Sequence, residues 1–144
     1  MTIQRDAKIY VAGHRGLAGS ALLRALRQRG YETLLTRTRQ ELDLLDQRSV
    51  FDFLAQEKPD YIFCAAAKVG GIRANDLYRA DFIYENLTIQ NNLIHGALKA
   101  GIQDFCFLGS SCIYPRDCPQ PIKEEYLLTA PLEQTNEPYA IAKI

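Results

Sequence analysis

The feature that most constrains the fold is a glycine-rich segment directly after a short apolar run. Residues 9–12 (IYVA) are followed by GHRGLAG, in which Gly13, Gly16 and Gly19 stand three positions apart. Apolar residues then recur at helical spacing up to Gly30, which predicts a helix that ends there. A strand, a glycine turn and a helix in this order predict a dinucleotide-binding loop, because a helix N-terminus offers free N–H groups to phosphates. The spacing is G-x-x-G-x-x-G rather than G-x-G-x-x-G, and a plain flexible turn is the alternative.

The rest of the chain alternates apolar runs with segments of helical spacing. The predicted strands are short and apolar, and they cover residues 33–36, 61–67 and 105–109, with a further strand just before Asp43. The predicted helices have capping or stopping residues at their ends, and they cover residues 46–58 and 80–100. Because continuous apolar strands that alternate with helices are typical of a sheet covered on both faces, the sequence predicts an α/β fold, a Rossmann-type doubly wound parallel sheet.

The composition narrows the class of protein. The chain has 144 residues, 47% of them hydrophobic, and no net formal charge, which gives no indication of nucleic acid or an anionic membrane as a partner. MTIQRDAK lacks the apolar core of a signal peptide, and no apolar run approaches the roughly 20 residues that span a membrane. The cysteines fit neither a C-x-x-C motif nor a zinc pattern, so we expect thiols in a cytoplasmic, reducing compartment and no metal site. We expect two of them to be buried, Cys64 and Cys106.

Basic residues follow the second predicted strand, where NAD-dependent enzymes usually carry an acid for the ribose hydroxyl. Arg37 and Arg39 occupy this place, and Arg15 lies inside the glycine loop. A guanidinium pairs with a 2′-phosphate, so this cluster predicts NADP(H); the alternative is that the arginines are solvated surface charges. Asp43 could accept a hydrogen bond from an adenine amino group, or could be an acid at the start of a helix.

Residues suited to proton transfer lie in the last third of the chain. The run LGSSCIYP ends a predicted strand, and parallel sheets place ligands at the carboxyl ends of their strands. Tyr139 and Lys143 stand four apart, on one face of a helix. A lysine ammonium beside the phenol would lower its pKa from about 10, which would make Tyr139 an acid or base near neutral pH. A tyrosine and lysine at this spacing are also common on exposed helix faces, and Cys112 could equally be a small buried residue.

Together the glycine loop, the serine-bearing strand end and Tyr-x-x-x-Lys resemble the extended branch of the short-chain dehydrogenase/reductase superfamily. The strings AAAKVGGI, GSSCIYP and NEPYAIAK are more specific, and they resemble the GDP-L-fucose synthase family from Lys8 onward. The resemblance implies NADPH-dependent epimerisation of GDP-4-keto-6-deoxy-D-mannose at C3 and C5, followed by reduction of the 4-keto group to give GDP-L-fucose. It also implies a homodimer that pairs through long helices, for which residues 80–100 are the candidate.

The resemblance assigns a role to each catalytic residue. Tyr139 gives a proton to the C4 oxygen, and Lys143 tunes that phenol and holds the nicotinamide ribose. Ser110 polarises the carbonyl, and Cys112 is an acid/base for epimerisation, as suits a thiol whose pKa can be lowered by positive charge. The implied cofactor-binding residues are Gly13, His14, Arg15, Gly16, Leu17, Ala18, Gly19, Arg39, Asp43, Leu44, Leu108, Gly109 and Lys143.

Several other residues are also considered for a role in the site. Residues 68–71 would line the substrate pocket or form a plain loop. Asn86 and Asn91 could brace backbone beneath the site, although surface asparagines are common on helices. We expect His14 to contribute only its backbone and His95 to be an ordinary helix residue.

The family resemblance also sets an expectation about length. Family chains are roughly twice this long, and their later half supplies the rest of the cofactor sheet, a second catalytic histidine and the GDP-sugar domain. We therefore expect residues 1–144 to form an incomplete NAD(P)-binding domain, truncated in the catalytic helix, that is inactive alone and binds NADPH weakly. The alternatives are another sugar-nucleotide epimerase or dehydratase that keeps NAD bound, and a non-catalytic nucleotide-binding protein.

Overall fold

The computed structural model describes residues 3–144, which divide into two compact units. The first unit runs up to Ala67 and includes Thr88–Leu108, and the second comprises Lys68–Leu87 and Gly109–Ile144. The chain contains five α-helices within the described residues, namely α1 (Leu17–Gln28), α2 (Gln47–Glu57), α3 (Ile72–Leu77), α4 (Arg79–Ala100) and α5 (Glu137–Lys143). No helix within residues 3–144 combines the length and apolar character needed to cross a bilayer.

The first unit is built on a four-stranded parallel sheet. Its strands, in chain order, are β1 (Ile9–Ala12), β2 (Leu34–Leu35), β3 (Tyr61–Cys64) and β4 (Asp104–Phe107), and the spatial order is β2-β1-β3-β4. Ile9 lies opposite Leu34 on one side and Tyr61 on the other. The chain passes from β1 to β2 and then returns to the far side of β1 for β3. This reversal of strand order marks the edge where open α/β sheets bind ligands.

Both faces of this sheet are covered, as the apolar strands predict. Successive side chains of β1 point to opposite faces, because the side-chain period of a strand is two. Tyr10 and Ala12 belong to a core that includes Leu54 of α2 and Leu93 of α4. Ile9 and Val11 belong to a second core with Leu23 and Leu26 of α1. The predicted α/β fold with a doubly wound parallel sheet is confirmed.

Most predicted boundaries of helices and strands hold within a few residues. Helix α1 is followed by Gly30, whose φ of +79° is the left-handed conformation that ends a helix. Helix α2 begins after Asp46, which accepts a hydrogen bond from the Arg48 N–H at 3.1 Å. Helix α4 ends one residue before Gly101, as expected. The strands are shorter than predicted, since the runs after β3 and β4 leave the sheet.

The strand predicted just before Asp43 is wrong. Residues between β2 and α2 form turns, in which the Leu42 N–H donates to the Thr38 carbonyl at 2.9 Å. The Glu41 carboxylate accepts the Thr38 N–H at 2.7 Å and so stabilises the turn locally. These hydrogen bonds form within the segment and need no strand partner.

The second unit contains α3, α5 and the first part of α4, together with two short 3-10 turns. One of these turns, Ser111–Ile113, packs against α5. The start of α5 is tied down by Arg79, whose guanidinium lies 2.9 Å from the Glu137 carboxylate and donates to the Gln134 carbonyl at 2.6 Å. At the other end of α5 the Ile144 N–H donates to the Ala140 carbonyl at 3.1 Å, so helical bonding reaches the last residue.

Candidate active site

Two glycines of the loop after β1 are required by packing. Gly13 has a φ of +80°, and a Cβ atom there would lie 2.6 Å from the backbone nitrogen of Ala66. A Cβ atom on Gly19 would lie 2.2 Å from the Gly13 carbonyl oxygen. The loop therefore packs directly on the segment after β3 and on the first turn of α1. These contacts account for Gly13 and Gly19 without any ligand.

Gly16 differs from the other two. A Cβ atom there would contact only the Gly13 oxygen, at an ordinary 3.4 Å, so packing does not require glycine. Gly16 is the N-cap of α1, and no side chain caps the first turn, whose N–H groups lack helical partners. Leu17 is 93% exposed although it is apolar, and the Nδ1 atom of His14 is buried without a hydrogen-bond partner among residues 3–144. An open backbone, uncapped N–H groups and an unsatisfied imidazole nitrogen suit a bound phosphate group.

The three arginines have different environments. The Arg37 guanidinium lies 2.8 Å from the Glu57 carboxylate, donates to the Thr36 carbonyl and stacks 5.1 Å from the centre of the Phe53 ring. Its charge is already neutralised within the first unit, so the prediction that it binds a phosphate is not supported. The sequence could not indicate this, because Glu57 is distant in the chain and is brought close only by the packing of α2.

Arg15 and Arg39 are exposed, and Arg39 has only a long contact, 4.0 Å, with the Asp43 carboxylate. Asp43 accepts the Leu45 N–H at 3.1 Å and precedes α2, which begins at Gln47, so it is not a helix-start acid. The pKa of Glu41 lies below its ordinary value, first because of hydrogen bonds from Thr38 and also because Arg37 and Arg15 are near. This carboxylate near Arg15 was missed by sequence reasoning, although it lies close to the usual spacing of a ribose-binding acid.

Two buried asparagines of α4 each hold a stretch of backbone, one in the first unit and one in the second. In the first unit Asn92 is 3% exposed and donates to the Leu44 carbonyl at 2.9 Å, whereas Asn91 is exposed and braces nothing in the described chain. In the second unit Asn86 accepts the Lys68 N–H at 2.9 Å and donates to the Lys68 carbonyl at 3.0 Å. Asn86 was among the predicted braces and Asn92 was not. The sequence signal that could have indicated Asn92 is its place one residue before Leu93 and four before Gly96 on the long helix, a spacing that puts Asn92 and Gly96 on one face.

The loop 68–71 is also fixed by charge and by α3. The Lys68 ammonium lies 2.5 Å from the Glu85 carboxylate. Asn75 of α3 is 7% exposed and donates to the carbonyls of Gly70 and Gly71 at 2.8 and 3.1 Å. Sequence reasoning missed α3 because six residues give too little periodicity. The loop is held at three points and is not a loose connection.

Two of the predicted catalytic residues meet in the turn after β4. Ser110 is the N-cap of the 3-10 turn, and its Oγ accepts the Cys112 N–H at 3.4 Å. The Oγ atom also lies 2.9 Å from the Cys112 Sγ, within hydrogen-bonding distance. Gly109, just before them, is exposed and has open space where a Cβ would lie. Leu108 ends the first unit, where its N–H donates to the Cys64 carbonyl at 3.2 Å.

The other two predicted catalytic residues share one face of α5. Lys143 is 6% exposed, and its Nζ lies 5.9 Å from the centre of the Tyr139 ring. The pKa of the Tyr139 phenol lies above its ordinary value, first because of burial and second because of Cys112, while a hydrogen bond with Ser110 acts in the opposite direction. The predicted lowering of the Tyr139 pKa is therefore wrong for this structure, in which burial dominates. A phenol of this kind keeps its proton at neutral pH.

Cys64, Cys106 and His95 belong neither to the candidate cofactor-binding residues nor to the candidate catalytic residues. Cys64 is buried, as expected, whereas Cys106, on the edge strand β4, is exposed and was wrongly expected to be buried. His95 is exposed on α4 and its ring lies 5.7 Å from the Phe51 ring. It behaves as the ordinary helix residue that was expected.

Comparisons with known proteins show the family to which the chain belongs. The family model described as the NAD dependent epimerase/dehydratase family matches residues 9–144. The chain is 59% identical over 142 residues to a putative GDP-L-fucose synthase 2 of Arabidopsis thaliana, covering 99% of this chain and 43% of the relative. It is 56% identical over 137 residues to the GDP-L-fucose synthase of Escherichia coli K12, covering 95% of this chain and 43% of the relative.

A solved structure gives the same picture. MlghC, a GDP-mannoheptose C4 reductase from Campylobacter jejuni with NADP bound, is 46% identical and superposes with a TM-score of 0.94. The alignment covers 99% of this chain and 45% of MlghC, so the chain spans less than half the length of the relatives it matches. On the match of the family model over residues 9–144, the chain belongs to the NAD dependent epimerase/dehydratase family.

Proposed function

We propose that this chain is the cofactor-binding and proton-donating part of an NADPH-dependent enzyme that converts GDP-4-keto-6-deoxy-D-mannose to GDP-L-fucose. The observation that carries the proposal is the grouping of Ser110, Cys112, Tyr139 and Lys143 within the second unit. The identity to GDP-L-fucose synthases supports the choice of substrate.

The first unit has the groups that would hold NADPH. The uncapped first turn of α1, with the open backbone at Gly16, suits the pyrophosphate. Arg15 and Arg39 are exposed cations that suit a 2′-phosphate, for which a carboxylate would be repulsive. Related structures that contain NADP support this cofactor. When bound, NADPH supplies the hydride for reduction at C4.

The second unit has the groups that would move protons. A C–H bond next to a ketone is acidified, so a base can remove its proton and an acid can return one on the opposite face. A thiol placed like that of Cys112 suits this exchange. In the reduction, the phenol of Tyr139 gives its proton to the C4 oxygen, and the raised pKa keeps that proton available at neutral pH. Ser110 offers a hydroxyl that can hydrogen-bond the same oxygen.

We also propose that two copies pair through α4. Ile94 and Leu98 stand four apart on this helix and are 47% and 72% exposed, although both are large and apolar. Apolar side chains at this spacing suit helix pairing.

A chimera tests the proposed function. This chain would replace the matching 43% of the Escherichia coli GDP-L-fucose synthase, to which it is 56% identical. We expect the chimera to oxidise NADPH and form GDP-L-fucose. Tyr139→Phe should slow the reduction by at least about a hundredfold, because it removes a general acid.

The proposed role of Cys112 in epimerisation is tested separately in the same chimera. In D2O, Cys112→Ala should abolish deuterium incorporation at C3 and C5 of the sugar, followed by NMR. Cys118→Ala, which changes a thiol outside the site, is the matched control. A folded chimera that binds NADPH but neither exchanges nor reduces the sugar would refute the proposal.

A further inference from the structure

A single hydroxyl connects the two groups to which the proposed function gives different tasks. The Ser110 Oγ lies 2.9 Å from the Cys112 Sγ, and either atom can be the donor. The 3-10 turn that Ser110 caps packs against α5, which carries Tyr139, and a hydrogen-bonding contribution from Ser110 lowers the pKa of the Tyr139 phenol. The hydroxyl is therefore the middle member of a chain that runs from sulfur to phenol.

A serine is chemically able to fill this place. A hydroxyl donates one hydrogen bond and accepts others, so it can receive a proton from one neighbour while it gives its own to the next. The backbone fixes its position, because Ser110 caps the 3-10 turn that packs against α5. A thiol two residues away and a phenol on the facing helix thus meet at one atom.

Charged groups stand at both ends of α5, beside this chain of three. On α5 the Lys143 ammonium lies 5.9 Å from the centre of the Tyr139 ring. Glu137, at the start of α5, is paired with Arg79 at 2.9 Å. On the turn, Cys112 is the titratable group that acts on Tyr139. The pKa of Tyr139 is raised by burial and by Cys112, and no carboxylate is among its causes.

We propose that Ser110 is a proton relay that couples Cys112 to Tyr139, so that the epimerisation and reduction steps share one proton. After Tyr139 has given its proton to the C4 oxygen, the phenolate takes the Ser110 proton and forms an O–H bond. The Ser110 oxygen then takes the proton of the Cys112 thiol, whose S–H bond breaks. The phenol is restored, Ser110 is unchanged, and the negative charge rests on sulfur.

This direction is favoured because thiols are ordinarily stronger acids than phenols. The thiolate left at Cys112 is the form that can act as a base. The relay thus returns both groups to the states that a new turnover needs. The inference rests on the proposed function for its roles, but the coupling itself exists without substrate and can be measured separately.

The test is a double-mutant cycle on the titration of Tyr139 in the purified chain. Tyrosines carry 13C at Cζ, the Tyr139 signal is assigned with Tyr139→Phe, and its midpoint is followed by NMR against pH. Ser110→Ala should raise the midpoint by about one unit, because a hydrogen bond to the phenolate is lost. Cys112→Ala should lower it. Ser110→Thr, which keeps the hydroxyl, should stay close to the parent.

The combined variant distinguishes a relay from simple repulsion through space. If Ser110 connects the two groups, the effect of Cys112→Ala should shrink strongly when Ser110 is already alanine. The same effect in both backgrounds would overturn the proposal, as would a Ser110→Ala variant that titrates like the parent. If Ser110→Ala does not fold, the cycle is run with Ser110→Gly, which also removes the hydroxyl and is tolerated at an N-cap, and the same two outcomes decide. Loss of coupling would leave the chimera's turnover untouched as evidence for the proposed function.

Discussion

Gly13 and Gly16 lie in one loop, and we expect the first to matter for stability and the second for cofactor binding. Alanine variants of the two separate these effects. Gly13→Ala places a Cβ 2.6 Å from backbone at a φ of +80°, so we expect it to lower the free energy of unfolding by at least about 2 kcal/mol. Gly16→Ala has ordinary room, so its cost should stay below about 1 kcal/mol. Its effect should fall on NADPH binding, weakened by about tenfold.

Urea denaturation and calorimetric titration of NADPH measure these two effects. Ala21→Gly, at an exposed position further along α1, checks that altered helix propensity alone does not weaken binding. A Gly16→Ala variant that binds NADPH as tightly as the parent would mean that the backbone there does not approach the cofactor.

The choice between NADPH and NADH depends on exposed arginines. Arg39→Ala should weaken NADPH binding by about tenfold and leave NADH binding unchanged, because only NADPH has the 2′-phosphate. Arg48→Ala, which removes an exposed cation from α2, is the matched control. Equal affinity of the parent chain for both nucleotides would instead support the alternative of an enzyme that keeps NAD bound.

The sequence was enough to identify many of the candidate site residues, but not to predict which residues they contact. Gly13, Gly16 and Gly19 were recognised from spacing, because their context of strand and helix is local. The pairing of Arg37 with Glu57 depends on how α2 packs against the sheet, and no local pattern encodes it. The pKa of Tyr139 was predicted in the wrong direction for a similar reason. The spacing to Lys143 was visible in the sequence, but the burial of the ring was not.

The N-cap residue of α2, Asp46, both marks where this helix begins and makes its stability depend on pH. Asp46 caps it, accepting from the Arg48 N–H and from the Ser49 hydroxyl at 2.5 Å, and these bonds hold the pKa of Asp46 below its ordinary value. A lowered pKa in the folded state stabilises the fold above the unfolded pKa. That contribution is lost as the pH falls through the folded value.

Asp46→Asn keeps a capping oxygen but no charge, so it should be less stable than the parent at pH 7. The difference between the two denaturation midpoints should begin to shrink as the pH falls below about 4, the ordinary carboxyl pKa, and should vanish below the lower pKa of folded Asp46, where the parent carboxylate is protonated. Asp52→Asn, an exposed carboxylate of the same helix, should show almost no difference at either pH. A gap between parent and Asp46→Asn that is constant with pH would contradict the ionic contribution.

Long elements with clear ends were predictable, and short ones were not. Helix α4 is stopped by Gly101, whose φ of +76° suits only glycine readily, and both of its ends were predicted within one residue. Helix α3 has six residues, and the turns near Asp43 are held by the side chain of Glu41. Such segments are set by individual hydrogen bonds, which hydrophobic periodicity does not reveal.

For the whole molecule, the exposed part of α4 predicts self-association. Ile94 and Leu98 lie on one side of the helix, with Asn91 also exposed on that helix. Two copies that bury these side chains against each other would remove apolar surface from water, worth roughly 25 cal/mol per Å². We therefore expect the average mass of the chain in solution to rise with concentration toward that of a dimer of 16.3 kDa chains.

Leu98→Lys should weaken this association by at least tenfold, since a buried ammonium at a helix pair has no partner and central apolar residues dominate interface energies. Gln28→Lys adds the same charge on the exposed side of α1, so it accounts for the effect of net charge alone. Sedimentation equilibrium over a concentration series gives both dissociation constants. Association that is unchanged by Leu98→Lys would place the contact elsewhere on the molecule, and the pairing of two copies through α4 would have to be abandoned.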